Sequence, residues 1–211
     1  MGSSRTDAMV SANDAAFELF LYDTPLEDQN SFLELFNVNL PPDIRAVSIK
    51  EVGPSFNIIQ QPKNKEYLYL FAFGKKSHPF CAPLMANFKE DLDIERMIEG
   101  AQLFMGEHYF GNYCVDPSEN SILVRTVNTC HLSLNDLYTA SFFPEESYIF
   151  KVSGAGFLRY QIRLMMGTLV QLGKGEISFD QIRESLLPEN NMVLNYIAPA
   201  SGLILNKIDF D

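Results

Sequence analysis

The segment Phe157–Leu172, FLRYQIRLMMGTLVQL, is the longest helix candidate in the chain, and the interpretation of the fold starts from it. Its apolar residues suit a helix, and Gly173 and Gly175 follow it as typical helix-ending residues. One charged side chain, Arg163, lies within the apolar run 162–166. Because a charge in apolar surroundings is costly without a partner, we expect Arg163 to pair with another part of the chain.

Strand and helix patterns on both sides of this helix predict an α+β domain with a mixed or mostly antiparallel central sheet flanked by helices. The clearest strand signal is Glu66–Phe73, which is aromatic and alternating. Gly74–Phe88 has the composition of a loop, so we expect it to separate two halves, residues 1–85 and 86–211, that share the sheet. Further strands are predicted at Ala15–Tyr22, Ile44–Val52, Ile122–Ser133, Tyr148–Val152 and Leu203–Phe210, and further helices at Leu26–Leu35, at Leu92–Met105 and from the cap Ser178 to Leu187.

The composition limits the classes of function. The 211 residues carry a net charge of -11, so any nucleic-acid site must be a local basic cleft on an acidic body. No apolar run reaches the roughly 18 residues of a membrane-spanning helix, and the N-terminus lacks the pattern of a secretory signal. The three cysteines and three histidines are scattered without metal-ligand spacing. These features favour a cytoplasmic protein with reduced thiols, no bound metal and no membrane partner.

The N-terminal segment Ser4–Ala12, SRTDAMVSA, is the candidate catalytic segment. A small polar cluster ahead of a strand is usually only a turn, because Asp and Ser side chains bond to nearby backbone. This segment nevertheless resembles the Gly-Arg-Thr-Asp-x-Gly-Val-His-Ala signature of the TruA-type tRNA pseudouridine synthases, with Asp7 at the position of the signature's aspartate.

Further segments resemble motifs of the same family, in the same order along the chain, and the matches cover nearly all of it. Each match is weak alone, but their common order and spacing are specific. The segments are Leu40–Arg45 (LPxDI), Lys65–Tyr69 ((K/R)xYxY), Gly106–Phe110 (GxHDF), Val124–Val127 (VRT(I/V)), Phe157–Arg163 (FLYHMVR) with Gly167–Leu169 after it, and Ala198–Leu203 (APxxGL).

The resemblance implies the pseudouridine synthase fold, built from two ferredoxin-like halves, and an isomerase that acts on the anticodon stem-loop of tRNA, at one or more of the sites numbered 38, 39 and 40. It implies three catalytic residues: Asp7, Arg163 and Tyr67. Asp7 must be ionised to act on the sugar, and a guanidinium beside it would favour that form. Tyr67 is expected to stack on the target base once the base has left its helix. Tyr69 is interpreted as a core aromatic residue on the opposite side of the sheet.

The candidate substrate-binding residues come from the same motifs. Arg5, Lys65 and Arg125 are basic members of a predicted positive cleft. Tyr67 contacts the base, and Phe157 and Leu158 are expected to pack beside it. No metal and no organic cofactor are expected, and the resemblance implies a homodimer with tRNA lying across both subunits.

The sequence departs from the family at several points. Met9 and Ser11 replace a Gly and a His of the signature, and Ile59 stands where an FxxR element has Arg. If that Gly serves a positive φ, Met9 is strained. Family members carry roughly 50 residues before the catalytic segment, enough for a strand and a helix. We therefore expect the first half to be incomplete, and a truncated gene model is favoured over an excised fragment or a natural reduction.

Two other functions stay open at the level of sequence. One is a catalytically impaired or decayed RNA-binding member of the same fold, disabled by the truncation and by the departures at Met9, Ser11 and Ile59. The other is an unrelated α+β hydrolase built on Asp7. The hydrolase ranks far lower, because the sequence offers neither a second positioned carboxylate nor a nucleophile–base pair.

Overall fold

The computed structural model describes residues 1–4, 6–21, 26–190, 192, 194 and 196–210. Within these ranges the structure is a mixed sheet of seven strands with four α-helices. The strands are β1 (Ser11–Ala12), β2 (Asn64–Phe73), β3 (Ala86–Phe88), β4 (Gly106–Tyr109), β5 (Val124–Leu134), β6 (Tyr148–Gly154) and β7 (Leu203–Asp209). The helices are α1 (Gln29–Asn39), α2 (Ile94–Gln102), α3 (Gln161–Gly173) and α4 (Phe179–Ser185), and short 3₁₀ turns lie at Pro79–Cys81, Gly111–Tyr113 and Ala200–Gly202.

Strand β2 is the middle of the sheet, whose order is β1-β7-β2-β6-β5-β4. It pairs antiparallel with β6 on one side and with β7 on the other, and β3 adds a short parallel pair at Phe71–Phe73. At the far edge, β1 pairs parallel with β7 through Ser11 and Ala12. The earliest part of the chain is therefore attached to the last strand, which brings the predicted catalytic segment to the sheet.

Successive residues of β2 point to opposite faces of the sheet, and both faces are apolar there. The face that carries Tyr67, Tyr69 and Phe71 packs against the helices in the larger core cluster. The opposite face, with Leu68 and Leu70, forms a smaller cluster covered by loop residues such as Phe142 and Phe143. A strand buried on both sides explains why the sequence of β2 is almost continuously apolar after Tyr67.

Helix α3 is the most buried helix, with eleven of its thirteen residues inaccessible to solvent. Its apolar side chains pack in the larger cluster with α2 and the sheet. Gly167 allows a close approach, since a side chain there would overlap the backbone carbonyl of Tyr196. The segment that leads into β7 therefore lies directly on α3, beside Arg163.

The predicted α+β class is confirmed, and several elements match their predicted positions. Strands β2, β5, β6 and β7 and helix α2 lie where the periodicity indicates, and α3 begins at Gln161, four residues later than predicted. Helix α4 begins at the predicted cap. The Ser178 side chain accepts a hydrogen bond from the backbone N–H of Gln181, and the Gln181 side chain accepts one from the backbone N–H of Ser178. Helix α1 starts three residues later than expected, after the cap Asp28.

Two predicted strands are wrong. The described part of Ala15–Tyr22 makes only an isolated bridge, between Phe17 and Gly2, and Ile44–Val52 has no regular structure. Apolar alternation makes a strand only where another strand can accept its backbone hydrogen bonds, and most of these residues lie exposed on the surface. Conversely, β3 and β4 lie in segments that the sequence indicated as loops. No helix in the described ranges is long and apolar enough to cross a membrane.

Raising the pH above about 10 should destabilise the fold, because burial raises the pKa of Tyr113 to about 12. Below the ordinary tyrosine value of 10.0 both states keep the phenol neutral. Between that value and about 12 only the unfolded state loses its proton, so the free energy of unfolding falls. Urea unfolding at pH about 8 and about 11 measures the fall.

Tyr113→Phe should reduce this pH dependence, although other buried tyrosines contribute to it. The variant also loses the 2.6 Å hydrogen bond between Tyr113 and Ser185. That loss lowers the free energy of unfolding at both pH values and therefore cancels when the two are compared. An unchanged difference between the two pH values in the variant would contradict the assignment to Tyr113.

Candidate active site

Asp7 lies in a tight turn that precedes β1. The backbone N–H of Val10 donates to the carbonyl of Asp7 at 3.2 Å, and Met9, the third residue of the turn, has a φ of 70°. A positive φ at that position is characteristic of turns that favour glycine. The strain predicted for Met9 is therefore present. The Asp7 side chain is 35% exposed, so one side of the carboxylate faces solvent.

Arg163 projects from the first turn of α3 and contacts Asp7. Its Nη1 lies 2.8 Å from Asp7 Oδ2, and its Nε donates to the carbonyl of Ala198 at 2.8 Å. The backbone N–H of Ala198 donates in turn to the carbonyl of Arg163 at 3.1 Å. The predicted contact between Asp7 and Arg163 is thus observed, and a backbone carbonyl that the sequence did not indicate fixes the guanidinium from a second side.

Tyr160 supplies a third contact to this guanidinium. The Cζ atom of Arg163 lies 4.8 Å from the centre of the Tyr160 ring, within cation–π distance. Tyr160 precedes α3 and has a φ of 65°, in the left-handed region. No role was predicted for Tyr160, and its only signal in the sequence is its position between two arginines, Arg159 and Arg163.

Tyr67 lies beside the ion pair on β2. Burial raises the pKa of its phenol, the negative charge of Asp7 raises it further, and the Ser4 hydroxyl opposes the shift. Its ring packs edge-on against Phe157, with the ring centres 5.5 Å apart. A neutral aromatic ring next to the carboxylate could stack on a base while the carboxylate acts on the attached sugar.

The predicted orientation of Tyr69 is wrong. Residues two apart in a strand share a face, so Tyr67 and Tyr69 point to the same side of the sheet. Tyr69 is nevertheless a core residue: it is fully buried, and its hydroxyl donates to the carbonyl of Pro199 at 2.7 Å.

A cavity of about 410 Å³ opens on the other side of Phe157. Lys65 and Arg125 line it together with Thr126 and Gly156. Burial lowers the pKa of Lys65, and Arg125 Nε is buried without a hydrogen-bond partner among the described residues. Within the same ranges neither cation has a carboxylate within salt-bridge distance. This cavity can therefore receive an anion.

The remaining predicted residues fall outside this arrangement. Arg5 lies outside the described residues. Leu158 is partly buried against the core, and its backbone N–H donates to the side-chain oxygen of Gln161 at 2.8 Å. Ile59, the departure from the FxxR element, is exposed and lines the cavity that holds Lys65. No group of three or more His, Cys, Asp or Glu side chains in the described part of the chain could hold a metal ion.

An α+β fold whose sheet presents an ion-paired carboxylate beside a partly buried tyrosine has the features expected of a pseudouridine synthase. Comparison with known proteins agrees: a family model described as tRNA pseudouridine synthase matches residues 101–211. The chain belongs to the tRNA pseudouridine synthase family, whose members are isomerases. The resemblance and the enzyme class predicted from the sequence are thereby confirmed.

Curated relatives match along the whole chain. A protein of Exiguobacterium sibiricum is 32% identical over 210 residues, which are 99% of this chain and 78% of the relative. One of Listeria monocytogenes is 30% identical, covering 99% and 81%, and one of Limosilactobacillus fermentum is 29% identical, covering 100% and 78%. All three are named tRNA pseudouridine synthase A.

Met9→Gly should stabilise the protein by about 1 kcal/mol. Glycine adopts a φ of 70° without the steric cost that a side chain incurs, and Met9 is 71% exposed, so little packing is lost. Thermal or urea unfolding measures the change. Ala8→Gly in the same turn is the matched control. It should destabilise, because it only adds freedom to the unfolded chain. Equal effects of the two substitutions would show that the strain at Met9 is not significant.

Proposed function

We propose that this protein converts uridine to pseudouridine in tRNA, with Asp7 as its catalytic carboxylate. The observation that carries the proposal is the 2.8 Å ion pair between Asp7 and Arg163, next to the partly buried ring of Tyr67. Family membership supplies the reaction class. The family name alone does not identify a catalytic residue, so the role of Asp7 depends on its geometry and on the signature segment.

The chemistry requires an ionised carboxylate close to the sugar. The bond between uracil N1 and C1′ breaks, C5 bonds to C1′ in its place, C5 releases its proton and N1 gains one. Asp7 can assist as a nucleophile at C1′ or by removing a sugar proton to form an unsaturated intermediate. Both routes need a free carboxylate oxygen. Only Oδ2 of Asp7 is bonded to Arg163, and Oδ1 has no hydrogen-bond partner within the described ranges.

Tyr67 is proposed to hold the uracil ring. A uridine in a helical stem must leave its stack before C1′ can be reached, and an aromatic face can replace part of the lost stacking. Phe157 packs edge-on against Tyr67 and keeps its ring in place. The Tyr67 phenol is neutral at physiological pH, because its ordinary pKa of 10.0 lies well above that pH and burial raises it further, so the ring does not repel Asp7 or the substrate.

Lys65 and Arg125 are proposed to bind a phosphate of the substrate in the cavity beside Phe157. Neither has a carboxylate partner among the described residues, and burial already costs Lys65 part of its hydration. A phosphate in the cavity would offset that cost for both cations. This local site allows an RNA substrate despite the net charge of -11.

The finer details are proposed from the family resemblance. They are action on the anticodon stem-loop, a homodimer across which tRNA lies, a cytoplasmic location, and a division of the sheet into halves 1–85 and 86–211. We propose neither a metal nor an organic cofactor, because the carboxylate chemistry above needs none. Arg5 is retained as a proposed RNA contact on the basis of the signature alone.

Asp7→Asn should abolish isomerisation, by more than about 10³-fold, while changing tRNA affinity little. Asn keeps the size of the side chain but is a poor nucleophile and carries no charge. Tritium release from tRNA labelled at uridine C5 measures the reaction, and filter binding measures affinity.

Asp180→Asn is the matched control, since Asp180 also pairs with an arginine but lies exposed on α4. It should release tritium at the parental rate. Turnover by Asp7→Asn near the parental rate would exclude Asp7 as the catalytic carboxylate. A parental chain that binds tRNA without turnover would favour the decayed RNA-binding alternative.

Lys65→Gln and Arg125→Gln should each weaken tRNA binding by roughly tenfold. Each should also reduce the slope of log affinity against log salt by about one, because each removes about one phosphate contact. Lys76→Gln changes the net charge equally at an exposed position and serves as the control. Equal losses in all three variants would indicate a general charge effect in place of a phosphate site.

A further inference from the structure

Backbone strain in this protein is concentrated around the Asp7–Arg163 pair. Among the described residues, four that are not glycine have a positive φ: Ser4, Met9, Asp116 and Tyr160. Ser4 and Met9 flank Asp7 in sequence, and Tyr160 lies one helical turn before Arg163. Asp116 forms an ion pair with Arg159, the residue before Tyr160, at 3.2 Å. Strained backbone that clusters at one site suggests that the side chains there need particular positions.

The backbone alone does not account for a tyrosine at position 160. Its conformation, φ 65° and ψ 6°, starts α3 and lets the Tyr160 carbonyl accept from the N–H of Leu164 at 2.9 Å. Glycine or asparagine would adopt this conformation at lower cost. The tyrosine side chain makes no capping hydrogen bond to the helix. The reason for this residue must therefore lie in what its ring contacts.

The ring of Tyr160 is partly buried against the larger core cluster, and it also contacts two guanidinium groups. Arg163 Cζ lies 4.8 Å from the ring centre and Arg159 Cζ lies 5.3 Å from it. Arg163 uses Nη1 for Asp7 and Nε for the Ala198 carbonyl, so both of these hydrogen bonds lie in the guanidinium plane. In-plane bonds leave the group free to tilt about its long axis. An aromatic ring facing the group restricts that remaining motion.

We propose that Tyr160 is a positioning residue for the isomerisation: its ring, held by a strained backbone, orients the Arg163 guanidinium against Asp7 Oδ2. The proposal rests on the proposed function of Asp7. Tyr160 does not need to touch the substrate in this role. It acts by keeping the guanidinium in place, so that Oδ2 stays bonded and Oδ1 keeps one direction towards the sugar.

The first test compares Tyr160→Gly with Tyr160→Phe. Tyr160→Gly relieves the backbone strain but also removes the packing of the ring against the core, so its unfolding midpoint can move in either direction, whereas its kcat for tritium release should fall roughly 3- to 30-fold in the folded protein. Its KM for tRNA should change less than about twofold, because no substrate contact is lost. Tyr160→Phe keeps the aromatic face and should retain kcat within about twofold.

Tyr160→Leu covers the case in which the glycine variant is poorly folded. Leucine and phenylalanine share the backbone strain and the apolar character, but only phenylalanine has a π face. The proposal predicts a low kcat for the leucine variant and a parental kcat for the phenylalanine variant, at similar stability. Equal kcat values in these two variants, or a parental kcat in a folded glycine variant, would overturn it.

A double-mutant cycle tests whether Tyr160 acts through Arg163. Substituting Tyr160→Leu in an Arg163→Lys background should lower kcat much less than in the parent, because the guanidinium is already gone. Equal reductions in both backgrounds, or a rise in KM alone, would place Tyr160 on the substrate and refute the positioning role. The proposed function has a separate test: activity retained by Asp7→Asn would refute it, whatever the results for the Tyr160 variants.

Discussion

The ion pair between Asp7 and Arg163 is the constraint on which the rest of the site depends. It joins residues 156 positions apart, one in an N-terminal turn and the other in the most buried helix of the fold. Because α3 is packed so extensively in the core, it cannot move towards a partner. The turn that carries Asp7 must therefore be held next to α3. The Arg163 side chain is 14% exposed, and a cation so far removed from water needs anionic or polar partners.

The sheet brings the turn to the helix. The backbone N–H of Asn13 donates to the carbonyl of Leu205 at 2.8 Å, and the carboxylate of Asp14 accepts from the N–H of Ile208 at 3.1 Å. These bonds extend the short β1–β7 pairing and attach the segment that contains Asp7 to a strand that itself pairs with β2. Because β2 carries Tyr67 next to β7, the same pairing sets the distance between the carboxylate and the aromatic ring. The site is thus built from the register of three adjacent strands and one helix.

The sequence predicts the parts of this arrangement that depend on local pattern. Helix α3 and strand β2 have strong periodicity, and the need of Arg163 for a partner follows from its apolar neighbours. The strand predicted at Ile44–Val52 fails because a strand needs a neighbouring strand, which local sequence does not contain. The contacts of Arg163 with Ala198 and Tyr160 could not be predicted either. The contact with Ala198 involves a backbone carbonyl, and the contact with Tyr160 depends on a left-handed backbone conformation. The spacing of residues in the sequence indicates neither of them.

The acidity of the chain and its proposed RNA substrate are compatible because charges act locally. Lys151, Lys174 and Lys207 lie within salt-bridge distance of carboxylates, so these cations contribute little attraction for phosphate. Lys65 and Arg125 share one cavity without such partners among the described residues. At physiological salt the field of a surface charge decays over about 8 Å, so carboxylates elsewhere on the surface weaken binding in this cavity only slightly. Because carboxylates outnumber cations in the chain, 27 to 16, they also repel RNA from other parts of the surface. In the proposed mode of binding, the basic cavity on this acidic body limits the orientations of RNA to those that place a phosphate near Phe157 and a base near Tyr67.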